Sequence, residues 1–531
     1  MKKTNAVLGL ILTVAAGAAT LATQSALAAK KPAYGPTAQV SDTSPTPPAA
    51  SEFAPPPEWL VELALSKTPE MPKKNESRSV ASVEQASEQR MSAKMREYRN
   101  EYLKTKTAED LQAFITKLKS EYAALPAEAI DAKFYAALFI PFENYRGFVY
   151  RMIPVVKKAR ITRDMLLTQI RNYANRLVIY NPSSESKALF KYVTEPYEGV
   201  QPFQTEFDIQ KNFYAPLYHS LMQAQNRLVA LGFEGTPKAT DLSKVKMSFP
   251  EAGIVWDNLL RSGDHDLEQP GVDKMFPDKI ERFRSIGQGE YLATLSKLNK
   301  RMFWISMNLA YSTRDYLILR KDLGQAIGIE VMEQMFNEKS YEGVTRQDHV
   351  KIVNKYKNTY KLNVGGAAWT QLALGHLRFT AGYDAWAWDI IRQNPDNDFS
   401  MIDVGIAKAR DREIVKGIAN LQAIVKGPAT IHSDLTGDTV TVNLPAFLMN
   451  PPSDLKKLLP VSFIGGEPRL SKGTLTYRNY FKGAANGWDP AAYSAIFPNA
   501  KSPADVATQM RILSEARGTR MATQILAPFI R

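Results

Sequence analysis

From Ser82 to Val425 the apolar side chains recur three and four positions apart, and this spacing constrains the fold more than any other feature of the chain. The clearest stretch carries Leu292, Leu295, Met302, Ile305 and Leu309, then Tyr316, Leu319, Leu323, Ile327, Val331 and Met335. Each set lines one face of a helix, so the two helices need a common partner to bury those faces. Met91, Met95, Tyr98 and Tyr102 follow a Ser82-x-x-Gln85 capping pattern. Thr107-x-x-Asp110 precedes Leu111, Ile115, Leu118, Tyr122 and Leu125, with Pro126 as the stop. The same reading predicts helices at 127–142, 147–158, 162–180, 205–231 (closed by Gly232), 346–361, 367–392 and 398–425. The period then changes. Ala429–Ser433 and Thr439–Leu444 alternate around a Thr436-Gly437-Asp438 turn, a hairpin signal, and Val461–Ile464 with Thr474–Arg478 are expected to extend it to a sheet of three or four strands. Asp489-Pro490 and Ser502-Pro503 each place a cap before a proline at the first helical position. The predicted class is mainly α. A multi-helix body at 81–425 is followed by a small antiparallel β insert at 426–482 and C-terminal helices at 483–531, with an α+β arrangement as the alternative.

The first 28 residues are read separately from the fold. Lys2 and Lys3 precede an apolar run from Ala6 to Ala22, and Ala26-Leu27-Ala28 fits the small-x-small rule for cleavage after Ala28. This segment resembles a bacterial Sec signal peptide, which implies a periplasmic or secreted protein. A retained membrane anchor is the competing reading; the apolar run is short for the ~20 residues a span needs. Residues 29–80 form a Pro/Ser-rich spacer, with eight prolines between 29 and 57 and a short apolar helix expected at 58–67. The chain has no cysteine, so no disulfide framework holds it and burial must do so alone. Arg and Lys exceed Asp and Glu by 13, two of which, Lys2 and Lys3, leave with the leader. In an envelope such an excess points to anionic glycan or lipid surfaces, and no nucleic-acid partner is expected. Beyond the leader no run is apolar enough to span a bilayer: Ala136–Val156 is interrupted by Glu143, Arg146 and Arg151.

Catalytic signatures are sparse. The chain lacks a Gly-x-Ser-x-Gly elbow, a phosphate-binding glycine loop and any His-x-x-x-His pair among its five histidines. Ser-x-x-Lys occurs at Ser184, Ser243 and Ser453, and Ser306-Met307-Asn308 fits Ser-x-Asn. The third element of a penicillin-binding set is absent, because Lys472-Gly473-Thr474 runs in the wrong order. Asp264, His265, Asp266 and Glu268 are the weak metal candidates. Their alternating oxygens resemble half of a calcium loop, but Gln269 and Met275 stand where Gly and Glu are required. No cofactor is predicted. Two acids are kept as weak catalytic candidates for a paired-carboxylate glycan hydrolase: Glu143, inside an apolar run where a pair with Arg146 or Arg151 is the plainer role, and Asp384.

Two acid-free basic windows are the strongest binding candidates. One holds Arg151, Lys157, Lys158 and Arg160. The other holds Lys351, Lys355, Lys357, Lys361 and Arg378 among Tyr356 and Tyr360, with Trp386 and Trp388 just beyond. Cations beside exposed aromatic faces suit an anionic surface; the competing reading is two solvated helix faces with the aromatics in the core. The expectation is an exported, non-enzymatic binding or scaffold module for an envelope protein or an anionic surface. A wall-glycan hydrolase is the alternative, and a structural part of a larger assembly a further one.

Overall fold

The computed structural model describes residues 92–158, 188, 191–193, 195–233, 288–319, 322, 354–393, 411–458, 463–471, 474–481 and 490–519. The leader with Ala28, the spacer with its 58–67 helix, the Ser82 cap, the 162–180 helix and the Asp264–Glu268 cluster lie outside them. The described chain is mainly α with small sheets, and no described helix is long and apolar enough to cross a membrane.

The N-terminal layer begins with α1 (Ala93–Lys104), capped by Ser92, whose hydroxyl accepts from the Met95 N–H at 3.0 Å. Helix α2 (Ala108–Glu121) starts with a complete capping box, Thr107 and Asp110 each accepting from the other's backbone N–H. Its stripe Leu111, Ile115 and Leu118 is buried. Helix α3 (Ile130–Phe139) continues as a 3₁₀ turn, Ile140–Tyr145, before α4 (Phe148–Lys158). Rings of Tyr98, Tyr102, Phe114, Tyr135 and Phe139 pack edge-on or tilted between α1, α2 and α3. This aromatic core stands where a disulfide would serve a smaller domain.

The centre is an antiparallel trio. Helix α5 (Glu206–Ile209) widens into a π turn, Gln210–Tyr214, and resumes as α6 (Ala215–Phe233). Gly232 therefore lies inside the last turn and does not close the helix. Helix α7 (Gln288–Ala310) packs against α6 and, most extensively, against α8 (Gly366–Gln393). The stripe Leu292, Leu295, Met302, Ile305 and Leu309 is buried between them, as are Tyr316 and Leu319 beyond. Helix α9 (Asp411–Lys426) covers α8 from the other side.

Strands β1 (Ala429–His432) and β2 (Thr439–Val442) pair antiparallel across a turn with Gly437 at φ 76°. The second strand ends before Leu444 because Asn443 caps α10 (Leu444–Met449), its side chain accepting from Ala446 N–H. Strands β3 (Phe463–Ser471) and β4 (Thr474–Phe481) pair, among the described residues, only with each other. The expected three- or four-stranded sheet is thus two separate hairpins. Helices α11 (Pro490–Ile496) and α12 (Pro503–Glu515) both begin at the predicted prolines, and Ser502 caps α12 through Asp505 N–H at 3.2 Å. Helix α12 packs on both strands of the first hairpin.

The largest departure concerns the predicted helix at 346–361, of which 346–353 lie outside the described residues. In the described part only Asn354 and Lys355 are helical; 357–360 form a turn, and Lys361 and Leu362 bridge to Asp454 and Tyr311.

Candidate functional site

Two places in this fold concentrate polar groups. The first is sealed inside the central trio. His376 on α8 is buried, with Nδ1 2.9 Å from Asn299 Oδ1 and Nε2 2.8 Å from the Tyr218 hydroxyl. Asn299 Nδ2 donates to the Leu295 carbonyl, so its Oδ1 faces the ring and accepts a proton held on Nδ1. Nε2 is then the acceptor for Tyr218 O–H. Trp369 stands edge-on against the Tyr218 ring at 5.0 Å. Burial pushes the imidazole down to about 3 and raises the Tyr218 phenol above its ordinary value. The arrangement joins α6, α7 and α8 through neutral hydrogen bonds.

The second place is at the end of the trio where α7 stops and α8 starts. Two turns, 311–317 and 356–362, lock together there. Tyr360 N–H donates to Ser312 O at 2.7 Å, Ser312 N–H returns to Lys361 O at 2.8 Å, and Thr359 Oγ1 bonds the Arg314 carbonyl. From below, Gln210 in the π turn holds the 311–313 segment: Nε2 donates to the Asn308 and Tyr311 carbonyls and Oε1 accepts from Thr313 N–H. From the other side, Leu362 N–H donates to Ser453 O and Leu455 N–H to Tyr360 O. Lys456 is buried here. Its Nζ donates to the Lys357 and Thr359 carbonyls and lies 3.1 Å from Asp454. Burial presses that ammonium downward, opposed by Asp454. The Ser453-x-x-Lys456 spacing therefore serves to clamp a turn, and its lysine is committed to carbonyls.

Among the described residues, the non-glycine positions with positive φ are Asp315 (59°) and Tyr360 (65°), one in each of these turns. For a bulky side chain such a φ is strained by about 1–3 kcal/mol and persists only when surrounding bonds over-determine it. Tyr360 is buried and edge-on to Tyr316 at 5.7 Å. With the tyrosines anchored inward, Lys355, Lys357 and Lys361 are exposed. Lys355 pairs with Asp322 at 3.2 Å, and the Tyr356 hydroxyl bonds the same carboxylate at 2.5 Å. Lys357 and Lys361 have no carboxylate partner among the described residues.

The other predicted residues are dispersed. The aromatics follow the competing reading and lie in the core: Tyr356, Tyr360 and Trp388 are buried, and Trp386 is half-buried against it. Trp388 Nε1 donates to Asp411 on α9 at 2.9 Å. Arg378 is exposed but its Nε is spent on the Val425 carbonyl. In the first basic window Arg151 lies 4.1 Å over the Phe203 ring and donates to the Gln201 and Asn212 carbonyls. Its cation is already matched by an aromatic face of this chain. Lys157 and Lys158 belong to α4, with their side chains outside the described set, as are Arg160 and Lys351. Glu143 is a half-exposed acid 2.5 Å from Lys119, which corrects both its expected burial and its expected pairing with Arg146 or Arg151. Arg146 instead faces Glu109 and the Tyr197 ring. Asp384 accepts from Ser296 Oγ and lies 3.2 Å from Lys300. Among the described residues no three acids or histidines come together to hold a metal ion.

Sequence reasoning missed the clamp of Gln210, Thr359 and Lys456, since each works through backbone carbonyls distant in sequence. No protein-family model, curated protein or solved structure matches the chain.

Proposed function

We propose that this is an exported envelope protein whose task is binding, and that it presents the rigid 354–365 segment to an anionic surface. One observation carries the reading: the strained turns and the buried Lys456 clamp hold Lys357 and Lys361 outward, without carboxylate partners among the described residues, at a fixed end of the helical body. Strain retained in a segment that contributes exposed cations fits a preorganised contact better than a passive connection. The leader and the spacer support export and stand-off from the processed terminus. The test is retention on an immobilised soluble polyanion, dextran sulfate. Lys357→Glu with Lys361→Glu is expected to lower the salt needed for elution while leaving the melting midpoint unchanged, because both side chains are exposed. Unchanged retention would remove the reading. Turnover of wall fragments by the purified chain, lost in both Glu143→Gln and Asp384→Asn, would replace it with hydrolysis.

A further inference from the structure

We infer that the anionic surface is a lipid bilayer, entered by Val364 and Met449 and held by Lys355, Lys357 and Lys361. This rests on the binding role proposed above and names its partner. Val364 is 89% exposed and Met449 47%, and with Leu435 on the first hairpin they are the exposed large apolar residues among the described ones. Two of the three fall at the same end of the molecule. The pairing of Lys361 with Asp454 and of Leu362 with Ser453 runs antiparallel. Its continuation beyond Leu362 therefore carries Val364 toward Met449–Pro452, and α8 and α10 are in contact.

Val364 stands between Leu362, tied by its backbone to Ser453, and Gly365, whose φ of 76° turns the chain into α8. A valine at such a tip gains nothing from the fold: it is exposed on a segment whose other large side chains, Tyr356, Tyr360 and Trp369, are fully used inside. Among the described residues the carboxylates on the facing segments are engaged, Asp322 by Lys355 and Tyr356 and Asp454 by Lys456, while Asp315 lies half-buried in the opposite turn. An apolar tip on the same segment as exposed lysines, of which Lys357 and Lys361 have no carboxylate partner among the described residues, matches the boundary of an anionic bilayer, where head groups meet the ammonium groups and acyl chains the tip. A hydrated anionic polymer would use the lysines and leave the valine and methionine in water. That difference separates the two partners.

The full chain is to be sedimented with vesicles of phosphatidylcholine alone or containing about one third phosphatidylglycerol, with dextran sulfate retention run beside it. Binding is expected only to the anionic vesicles. Val364→Ser with Met449→Ser should weaken it by about tenfold or more while leaving dextran sulfate retention unchanged. Because the chain has no cysteine, Val364→Cys takes an environment-sensitive dye at a single site, and its emission should shift blue on anionic vesicles. Equal vesicle binding by the serine variant, or no shift of the dye, overturns the bilayer as partner. Retention on dextran sulfate with no vesicle binding does the same and leaves the binding role standing. Failure to bind either probe overturns both.

Discussion

His376 is the residue whose chemistry is most sharply set by its surroundings. Its folded form holds the neutral ring down to about pH 3, against an ordinary value of 6.5. Above 6.5 neither the folded nor the unfolded chain carries this proton, and the ring costs nothing. As pH falls below 6.5 the unfolded chain binds the proton and the folded chain does not. Stability is therefore lost at up to about 1.4 kcal/mol per pH unit until the folded pKa is reached. His376→Gln, which can still face Tyr218 and Asn299 but never titrates, should lower stability at neutral pH and flatten the acid limb between about pH 6 and 4. Thermal melts of both proteins across that range measure it. Parallel acid limbs would show that His376 does not carry the loss. In the sequence His376 was one of five scattered histidines, and nothing local marked it. Tyr218 and Asn299 lie far away along the chain, and only the antiparallel packing of α6, α7 and α8 brings them to the ring.

Helices were legible where local signals and burial agree. The Thr107–Asp110 capping box, the prolines opening α11 and α12, and the helix expected at 367–392, which is α8, all sit where the sequence placed them. Replacing Thr107 by Ala should cost about 1 kcal/mol, seen as a lower melting midpoint. The 346–361 region misled because Tyr356 and Tyr360 are spaced as on a helix and are indeed buried. The Tyr360 backbone, however, bonds to Ser312 and Leu455, and long-range partners of that kind leave no periodic trace. Gly232 and the single-sheet expectation failed in a related way: glycine is tolerated within a final turn, and strand signals do not say which strand pairs with which. A sharper element-scale case is Gly518, which turns the chain out of α12 at φ 74°. A Cβ there would overlap the Gly417 carbonyl oxygen on α9. Gly518→Ala therefore combines backbone strain with a collision against main chain, and a loss of roughly 2 kcal/mol or more is expected. The companion Gly417→Ala meets Gly518 only at ordinary contact distance and should cost far less, so the pair of melts distinguishes the collision from a general intolerance of side chains at this crossing.

Across the whole molecule, charge is arranged in two populations with different consequences. On the N-terminal layer, Lys94 and Lys117 are surrounded by Glu97, Glu101 and Glu121, and Lys119 meets Glu143. These pairs are partly exposed, and such pairs are worth about 0–1 kcal/mol each, less in salt. The aromatic and aliphatic core beneath them supplies the stability, and salt does not weaken burial. At the far end of the trio, Lys357 and Lys361 have no acid to answer them among the described residues, so any affinity they give an anionic surface is Coulombic between exposed charges. The sequence showed the excess of lysine and the acid-free window that holds it, but not which aromatics were spent on the core or which cations were spent on Phe203 and on carbonyls. Raising ionic strength shortens the screening length from about 10 Å at 0.1 M to about 3 Å at 1 M. Vesicle binding by the native chain should therefore fall steeply over that range while its melting midpoint moves little. Lys357→Gln with Lys361→Gln should bind weakly at low salt and show a shallower dependence, since fewer charges remain to be screened. A melting midpoint that collapsed with salt would place the stability in the ion pairs, and vesicle binding indifferent to salt would detach the lysines from the contact.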